Sequence, residues 1–268
     1  MPTPDRPLRV SLVQADTVWH DSAANRALYG SLVRSLAGQS DLVVLPETFT
    51  SGFSNDAVDQ AEGMDGGSVA WLRGLAAEVG AVVTGSVVIR EGGQVFNRLL
   101  WMRPDGSFAW YDKRHLFRMA DEHLCYGAGS ERLVVELHGW RVCPLVCYDL
   151  RFPVFSRNRW DAAAGRFDYD LLLYVANWPA PRRHAWRSLL PARAIENLAY
   201  VVGVNRVGKD GNGIDYAGDS VALDMLGRVL VECGPQPQVA TVSVDPAALA
   251  EHRTRFPAQL DQDRFELL

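Results

Sequence analysis

Three side chains with the chemistry of nucleophilic catalysis stand out in the sequence: Cys147, Glu47 and Lys113. The thiol of Cys147 directly follows the apolar run 142–146, and polar residues and a proline come next. This pattern is typical of a strand that carries a nucleophile to a tight turn before a helix. Because a thiol attacks as the thiolate, it needs a base and a cationic neighbour, which Glu47 and Lys113 could supply. If the three groups meet in space, we expect a cysteine hydrolase.

Each of these residues also has an ordinary structural explanation when it is taken alone. Glu47 follows Pro46 at the end of an apolar segment, where α/β proteins place site residues but also where an exposed carboxylate caps the next segment. Lys113 could be a surface lysine, and free cysteines such as Cys147 are usually small buried hydrophobes. The combination, rather than any single residue, favours catalysis.

Length, charge and cysteine content limit the classes of protein to which this chain could belong. A chain of 268 residues, 48% of them hydrophobic, can bury the core of one large α/β domain. The net charge of −5 and the absence of a large Lys/Arg cluster argue against a nucleic-acid surface. No apolar run is long enough for a membrane span, and the first residues do not form a secretory signal. Four cysteines without paired metal spacing favour free thiols in a reducing cytoplasm, and no metal site is expected.

Periodicity predicts alternating strands and helices. Helical patterns cover Ser22–Leu36, with Asp21 or Ser22 as N-cap, Ser68–Val79, which ends at Gly80, and His184–Leu198. Two halves of similar order would each bury the apolar face of a sheet against the other. We therefore expect a four-layer α-β-β-α sandwich, with two mixed sheets face to face and helices outside. The β-branched runs are Leu8–Val13, Asp41–Leu45, Ala81–Ile89, Phe96–Met102, Leu133–Leu137, Val142–Val146, Leu171–Val175, Tyr200–Val204, Val221–Leu223, Val229–Val231 and Val239–Val244.

The end of the chain differs from the rest. Residues 1–245 are predicted to form a single domain, whereas residues 246–268 have too few apolar side chains for a core of their own. We expect this tail to be a helix and an arm that packs on the domain or on a partner subunit.

The segments around the three candidate residues resemble the three motifs of the carbon–nitrogen hydrolase (nitrilase) superfamily and follow its order. Segments 176–179 and 193–197 also resemble family segments. The resemblance implies the nitrilase type of sandwich, with Glu47 as general base, Lys113 on the oxyanion and Cys147 as nucleophile. The backbone N–H of Tyr148 would be a second oxyanion donor. No metal or organic cofactor is implied, and family members are usually oligomers, so we expect a homodimer or a higher homo-oligomer.

A second acid is expected between the lysine and the cysteine. Glu122 is the preferred candidate and its neighbour Asp121 the alternative. Its role would be to orient Lys113 or the substrate amide.

Within the superfamily, segments 113–123, 147–153 and 177–179 resemble ω-amidases of the bacterial type. These release ammonia from the terminal amide of 2-oxoglutaramate or 2-oxosuccinamate, which carry a carboxylate at the far end. The site must therefore supply a cation and aromatic walls. The candidates for these roles are Arg151 or Arg118 for the carboxylate and Phe117, Phe152 and Trp178 for the walls.

Two alternatives remain open from the sequence. A nitrilase or an N-carbamoyl amidase would use the same triad with a different pocket. A protein of another class, a catalytically silent binding or scaffold protein, could share this fold.

Overall fold

Two six-stranded mixed sheets lie at the centre of the computed structural model, which describes Pro4, residues 6–263 and residues 265–266. Two short hairpins, β8–β9 and β12–β13, stand outside them. The strands in chain order are β1 (Leu8–Gln14), β2 (Leu42–Val44), β3 (Val82–Glu91), β4 (Gln94–Met102), β5 (Phe108–Asp112), β6 (Val135–Leu137), β7 (Trp140–Val146), β8 (Trp160–Asp161), β9 (Arg166–Phe167), β10 (Leu171–Ala176), β11 (Tyr200–Asn205), β12 (Val207–Lys209), β13 (Asp215–Ala217), β14 (Val221–Leu223), β15 (Val229–Glu232) and β16 (Gln238–Val244).

Both sheets have three parallel strands flanked by antiparallel ones. The first sheet has the order β16-β1-β2-β3-β4-β5, in which β1, β2 and β3 are parallel. The second has the order β15-β14-β11-β10-β7-β6, in which β7, β10 and β11 are parallel. The two halves of the chain therefore repeat one topology. Parallel strands point their carboxyl ends toward the same edge, which is where the candidate residues follow.

The longer helices agree with the sequence patterns to within a few residues. The Asp21 carboxylate accepts a hydrogen bond from the Ala24 N–H at 2.8 Å and caps the first helix. Gly80, with φ 66°, ends the second helix in the left-handed conformation that glycine adopts without strain. The helices are α1 (Ser22–Arg34), α2 (Gly67–Val79), α3 (Glu122–Cys125), α4 (Pro153–Ser156), α5 (Arg183–Asn197) and α6 (Pro246–Arg255), with 3₁₀ turns at Asp56–Gln60, Arg118–Ala120, Cys147–Arg151, Ala180–Arg182 and Ala258–Asp261.

Alternation along the strands places apolar side chains on both faces of each sheet. Leu12 and Trp101 of the first sheet share one buried cluster with Val146 and Leu173 of the second, and this layer lies between the sheets. Side chains on the other face of the first sheet pack against α1 and α2. Helix α5 covers the second sheet so closely that a Cβ on Gly203 would lie 2.7 Å from Leu190. The predicted four-layer sandwich is confirmed.

Helix α6 is fastened to the same chain by a buried arginine. The Arg253 guanidinium donates to Asp170 at 2.6 Å and to the Leu198 carbonyl at 2.9 Å. The boundary at residue 245, and contact of the tail with a partner subunit, stay predictions, and Arg264, Leu267 and Leu268 lie outside the described residues. Within the described part of the chain, no helix has the length and apolarity that crossing a membrane requires.

Candidate active site

The three candidate residues follow strands of both sheets and meet at one edge of the sandwich. Glu47 comes shortly after β2, Lys113 directly after β5, and Cys147 directly after β7. All three are buried, with Glu47 and Lys113 each 1% exposed and Cys147 9% exposed. They line a common cavity of about 410 Å³. Charged groups persist at such depth when they are paired and hydrogen-bonded, and these are.

Lys113 lies between two carboxylates. Its Nζ donates to Glu47 Oε1 at 3.0 Å and to the two oxygens of Glu122 at 3.0 and 2.9 Å. The ring of Phe53 covers the ammonium at 5.1 Å from its centroid. Of the two acids considered from sequence, the structure brings Glu122 to the lysine. Asp121 is exposed and forms the left-handed turn before α3, with φ 54°.

Two asparagines, to which the sequence analysis gave no role, fix the Glu47 carboxylate. Asn97 Nδ2 in β4 donates to Oε1 at 2.8 Å, and the backbone N–H of Asn177 donates to Oε2 at 2.7 Å. The Asn177 side chain also donates to the Glu47 carbonyl at 2.6 Å. The sequence did contain a signal for Asn97, because its amide lies inside an apolar strand run. A buried polar side chain requires a hydrogen-bond partner, which here is Glu47.

Glu122 connects the lysine to the loop that covers the site. Its Oε2 accepts the Phe117 N–H at 2.5 Å in addition to the lysine. This contact fixes the backbone of Phe117, whose ring lines the cavity. The loop is fastened again where the Tyr126 hydroxyl donates to the Ser54 carbonyl at 2.7 Å. Glu122 therefore orients both Lys113 and one wall of the cavity.

The backbone turns sharply at the nucleophile. Cys147 has φ 45°, a left-handed conformation that costs a non-glycine residue about 1–3 kcal/mol. It begins the 3₁₀ turn Cys147–Arg151, whose first N–H groups have no partners within the turn. The Asp149 carboxylate stabilises the turn by accepting the Val146 N–H at 3.0 Å. The predicted strand, tight turn and helix are all present, although the helix is only a short 3₁₀ segment.

Asp149 also connects this turn to the segment that carries Lys113. It accepts the Tyr111 hydroxyl at 2.7 Å, the His115 N–H at 3.0 Å and contacts His115 Nδ1 at 2.7 Å. Tyr111 and His115 flank the lysine on either side. One buried carboxylate thus sets the position of Lys113 relative to Cys147.

Burial and local charge set the protonation states of the site. Burial raises the pKa of the Cys147 thiol well above its usual value, and the Glu47 carboxylate raises it further, whereas Lys113 lowers it less. Burial opposes the charge on Lys113, but the carboxylates of Glu122 and Glu47 outweigh it and hold that pKa well above normal. Burial raises the pKa of Glu122, which Lys113 counteracts. At neutral pH the resting site therefore holds a thiol, not a thiolate, beside an ammonium.

Of the predicted substrate contacts, Phe117, Arg151 and Trp178 line the cavity. Arg118 and Phe152 do not line it. They face a second, more open cavity of about 630 Å³ on the other side of Tyr148. The Phe152 ring stacks on the His115 imidazole at 3.7 Å between centroids, which holds it away from the thiol. Arg182 also lines the first cavity, and the sequence analysis gave it no role.

This arrangement suits acyl transfer through sulfur. A carboxylate adjacent to the thiol can accept its proton, and an ammonium with the N–H groups of the 3₁₀ turn can stabilise a developing oxyanion. Among the residues the structure describes, no group of histidines, cysteines and carboxylates has a geometry that could hold a metal ion.

An α-β-β-α sandwich that holds a buried thiol, a carboxylate and an ammonium at one edge is the arrangement of a thiol-dependent hydrolase. The family model described as carbon-nitrogen hydrolase matches residues 9–254. The chain belongs to the carbon–nitrogen hydrolase family, which confirms the family, the fold and the class of enzyme, an amidase, expected from the sequence.

The chain is similar to two named enzymes over almost its whole length. It is 47% identical to omega-amidase YafV of Escherichia coli K12 over 261 residues, covering 97% of this chain and 98% of that protein. It is 34% identical to 2-oxoglutaramate amidase of Bacillus subtilis 168 over 251 residues, covering 92% and 95%.

A solved structure has nearly the same backbone. XC1258 from Xanthomonas campestris, a CN-hydrolase superfamily protein with an arsenic adduct in its active site, superposes with a TM-score of 0.96 at 62% identity. The comparison covers 98% of this chain and 99% of that one. The range matched by the family model, residues 9–254, includes Glu47, Lys113 and Cys147.

Proposed function

We propose that this enzyme is an ω-amidase that hydrolyses the terminal amide of a short 2-oxo acid, such as 2-oxoglutaramate or 2-oxosuccinamate, through a thioester on Cys147. The observation that carries the proposal is the buried cluster in which Glu47 and Glu122 both bind Lys113 beside the Cys147 thiol. The similarity to omega-amidase YafV and to 2-oxoglutaramate amidase supports the choice of substrate.

In acylation, Glu47 removes the thiol proton while Sγ attacks the amide carbon. General-base assistance is needed because burial and Glu47 itself keep the thiol protonated at rest. The carbonyl oxygen becomes an oxyanion, which the Lys113 ammonium and the backbone N–H of Tyr148 stabilise. When the C–N bond breaks, Glu47 returns the proton to nitrogen and ammonia leaves. The acyl group remains on sulfur as a thioester.

In deacylation, the same carboxylate acts on water. Glu47 takes a proton from a water molecule while the water oxygen attacks the thioester carbon, and Lys113 again stabilises the oxyanion. The C–S bond breaks, the proton passes from Glu47 to sulfur, and the carboxylic acid is released. Glu122 contributes by holding Lys113 and Phe117 in place.

The far end of the substrate lies among aromatic side chains and a guanidinium. Arg151 stands over the Trp178 ring at 5.0 Å, and Phe117 forms the facing wall. A guanidinium can bind a carboxylate with two parallel hydrogen bonds. Because Arg118 lies outside this cavity, we assign the carboxylate contact to Arg151.

The test is ammonia release from 2-oxoglutaramate, from a short aliphatic nitrile and from an N-carbamoyl amino acid under identical conditions. We expect kcat/KM for 2-oxoglutaramate to exceed the other two by at least about 100-fold. The nitrile lacks the carboxylate that Arg151 would bind, and the N-carbamoyl compound has a carboxylate but lacks the 2-oxo group and differs in chain length. A Cys147→Ala variant controls for contaminating activity. A preference for the nitrile or the carbamoyl compound would contradict the proposal.

A further inference from the structure

The cavity is lined by a second guanidinium, that of Arg182, in addition to that of Arg151. Arg151 comes from the 3₁₀ turn that begins at Cys147, whereas Arg182 comes from the 3₁₀ turn that precedes α5. Both side chains line the cavity. Arg182 stands over the Phe117 ring at 5.3 Å, just as Arg151 stands over Trp178. The two cations therefore face the same space from separate elements.

Trp178 fixes both arginines. The face of its ring supports the Arg151 guanidinium, and its indole N–H donates to the Arg182 carbonyl at 2.9 Å. Asn205 holds Trp178 in turn, because its side chain accepts the Trp178 N–H at 2.7 Å and donates to the Trp178 carbonyl at 3.1 Å. Trp178 is only 3% exposed, so this support is rigid. The arrangement reduces the entropy that ordering two arginines would otherwise cost.

Neither guanidinium is neutralised by the protein. Among the described residues, neither Arg151 nor Arg182 forms an ion pair with a carboxylate, in contrast to the adjacent Arg183, whose Nε lies 2.5 Å from Asp219. Asp56 and Asp210 also line the cavity, but among the described residues neither forms an ion pair with these arginines. The Asp210 carboxylate accepts the Tyr216 hydroxyl at 2.9 Å and two backbone N–H groups of its own loop. Two guanidinium groups beside aromatic rings are thus available to an anion.

We propose that Arg182 and Arg151 form a clamp, organised by Trp178, that binds the carboxylate at the far end of a linear anionic amide, so that Arg182 determines the specificity for charged substrates. This inference rests on the proposed ω-amidase function and adds a residue to it. A carboxylate beside a 2-oxo group presents three acceptor oxygens. One guanidinium can bind two of them through its fork, which leaves an acceptor for the second arginine.

The experiment measures kcat/KM for 2-oxoglutaramate and for pentanamide, an uncharged amide with the same number of carbons in its chain. We expect Arg182→Gln to lower the ratio of the two values by about 10- to 100-fold, the loss associated with a hydrogen bond to a charged group. The loss should be in KM rather than kcat for the anionic amide, because the contact is distant from the reacting carbon. Arg182→Lys should recover part of the ratio, since it restores the charge but not the fork. Arg183→Gln is the matched control, and its ratio should stay at the wild-type value.

A second measurement does not depend on turnover. The inhibition constant of the product 2-oxoglutarate, measured against pentanamide hydrolysis, should rise in Arg182→Gln by a similar factor. If the wild-type enzyme prefers 2-oxoglutaramate but Arg182→Gln keeps that preference and the inhibition constant, the clamp is wrong and the proposed function stands. If the wild-type enzyme has no preference for the anionic amide, the proposed function and the clamp both fail.

Discussion

The Asp149 carboxylate lies 2.7 Å from the Tyr111 hydroxyl and so joins the turn of Cys147 to the strand that directly precedes Lys113. Asp149 is fully buried and also accepts two backbone N–H groups, from Val146 and His115. It makes no contact with the reacting atoms. Its effect on catalysis is to fix the separation between the thiol and the ammonium, on which stabilisation of the oxyanion depends.

The first prediction concerns this carboxylate. Asp149→Asn replaces an acceptor by an amide whose NH2 would face existing donors, and we expect unfolding free energy to fall by about 1–3 kcal/mol. At a temperature where the variant is fully folded, kcat should still fall at least about tenfold, because Lys113 is no longer held at its distance from Cys147. The measurement pairs urea unfolding with ammonia release. Asp59→Asn, at an exposed position, is the control. A decrease in unfolding free energy without a change in kcat would show that Asp149 has only a structural role.

The second prediction concerns the buried charges. Lys113→Met leaves the Glu47 and Glu122 carboxylates without their cation, which should destabilise the protein by about 3–5 kcal/mol at neutral pH. The matched control is Lys209→Met, because Lys209 and its partner Asp215 are both mostly exposed and their pair is worth at most about 1 kcal/mol.

The pH dependence of the same variant has a definite sign. Burial and Glu47 already raise the pKa of Glu122, and Lys113 is the main influence that lowers it. Without the lysine, the folded-state pKa of Glu122 rises further above its unfolded value of about 4.3. Between the unfolded-state pKa of about 4.3 and the raised folded-state pKa, the native state binds more protons than the unfolded state. The free energy of unfolding must therefore decrease as the pH rises through this range. Urea unfolding at pH 5 should show a smaller destabilisation than at pH 7, and an equal or larger one would contradict this assignment.

The third prediction separates the reactivity of the thiol from turnover. Since burial and Glu47 raise the pKa of Cys147, alkylation by iodoacetamide should accelerate with pH up to pH 9 without a plateau. Glu47→Gln removes a negative charge beside the thiol, so the alkylation profile should shift toward lower pH while amidase turnover falls by about 10²–10⁴-fold with loss of the general base. Intact mass reports the alkylation rate in a Cys125→Ser background, because Cys125 is a partly exposed thiol. A shift toward higher pH would be incompatible with the charge effect.

The fourth prediction tests how α6 is attached. Arg253→Ala leaves Asp170 buried without its cation and should cost about 3–5 kcal/mol. Arg255→Ala in the same helix removes only an exposed pair with Glu251, for which we expect less than about 0.5 kcal/mol. Urea unfolding of the two variants measures the contrast. Similar small effects for both would mean that the helix contributes little to the stability of the domain.

The sequence predicted those features that depend on local chemistry. Strand runs, the Asp21 cap and the Gly80 stop follow from side-chain periodicity and backbone preference, which act within a few residues. The meeting of Glu47, Lys113 and Cys147 was expected from the resemblance to carbon–nitrogen hydrolases, because the rule that residues after parallel strands share an edge applies within one sheet and these three follow strands of two sheets. The structure places Glu122, the preferred candidate, against Lys113, while its role stays a prediction.

Features that depend on how distant segments cross were not predictable in this way. The sequence offered Arg151 and, as the less favoured candidate, Arg118 for the carboxylate contact, and the 3₁₀ turn 118–120 places Arg118 at the second cavity. Arg182 lines the cavity, and the Trp178 indole N–H binds its carbonyl. Side-chain periodicity along the sequence does not predict a contact of this kind. The short hairpins β8–β9 and β12–β13 were missed because two or three residues are too few to show a repeating pattern.

The most direct test of the account is the mass of the enzyme during turnover. Wild-type enzyme is mixed with excess 2-oxoglutaramate, quenched in acid at a series of times shorter than one turnover, and examined as intact protein and as peptides. We predict an added mass equal to the substrate minus ammonia, located on the peptide that contains Cys147. An adduct on any other residue, or an unmodified Cys147 at every time while ammonia is released, would contradict it.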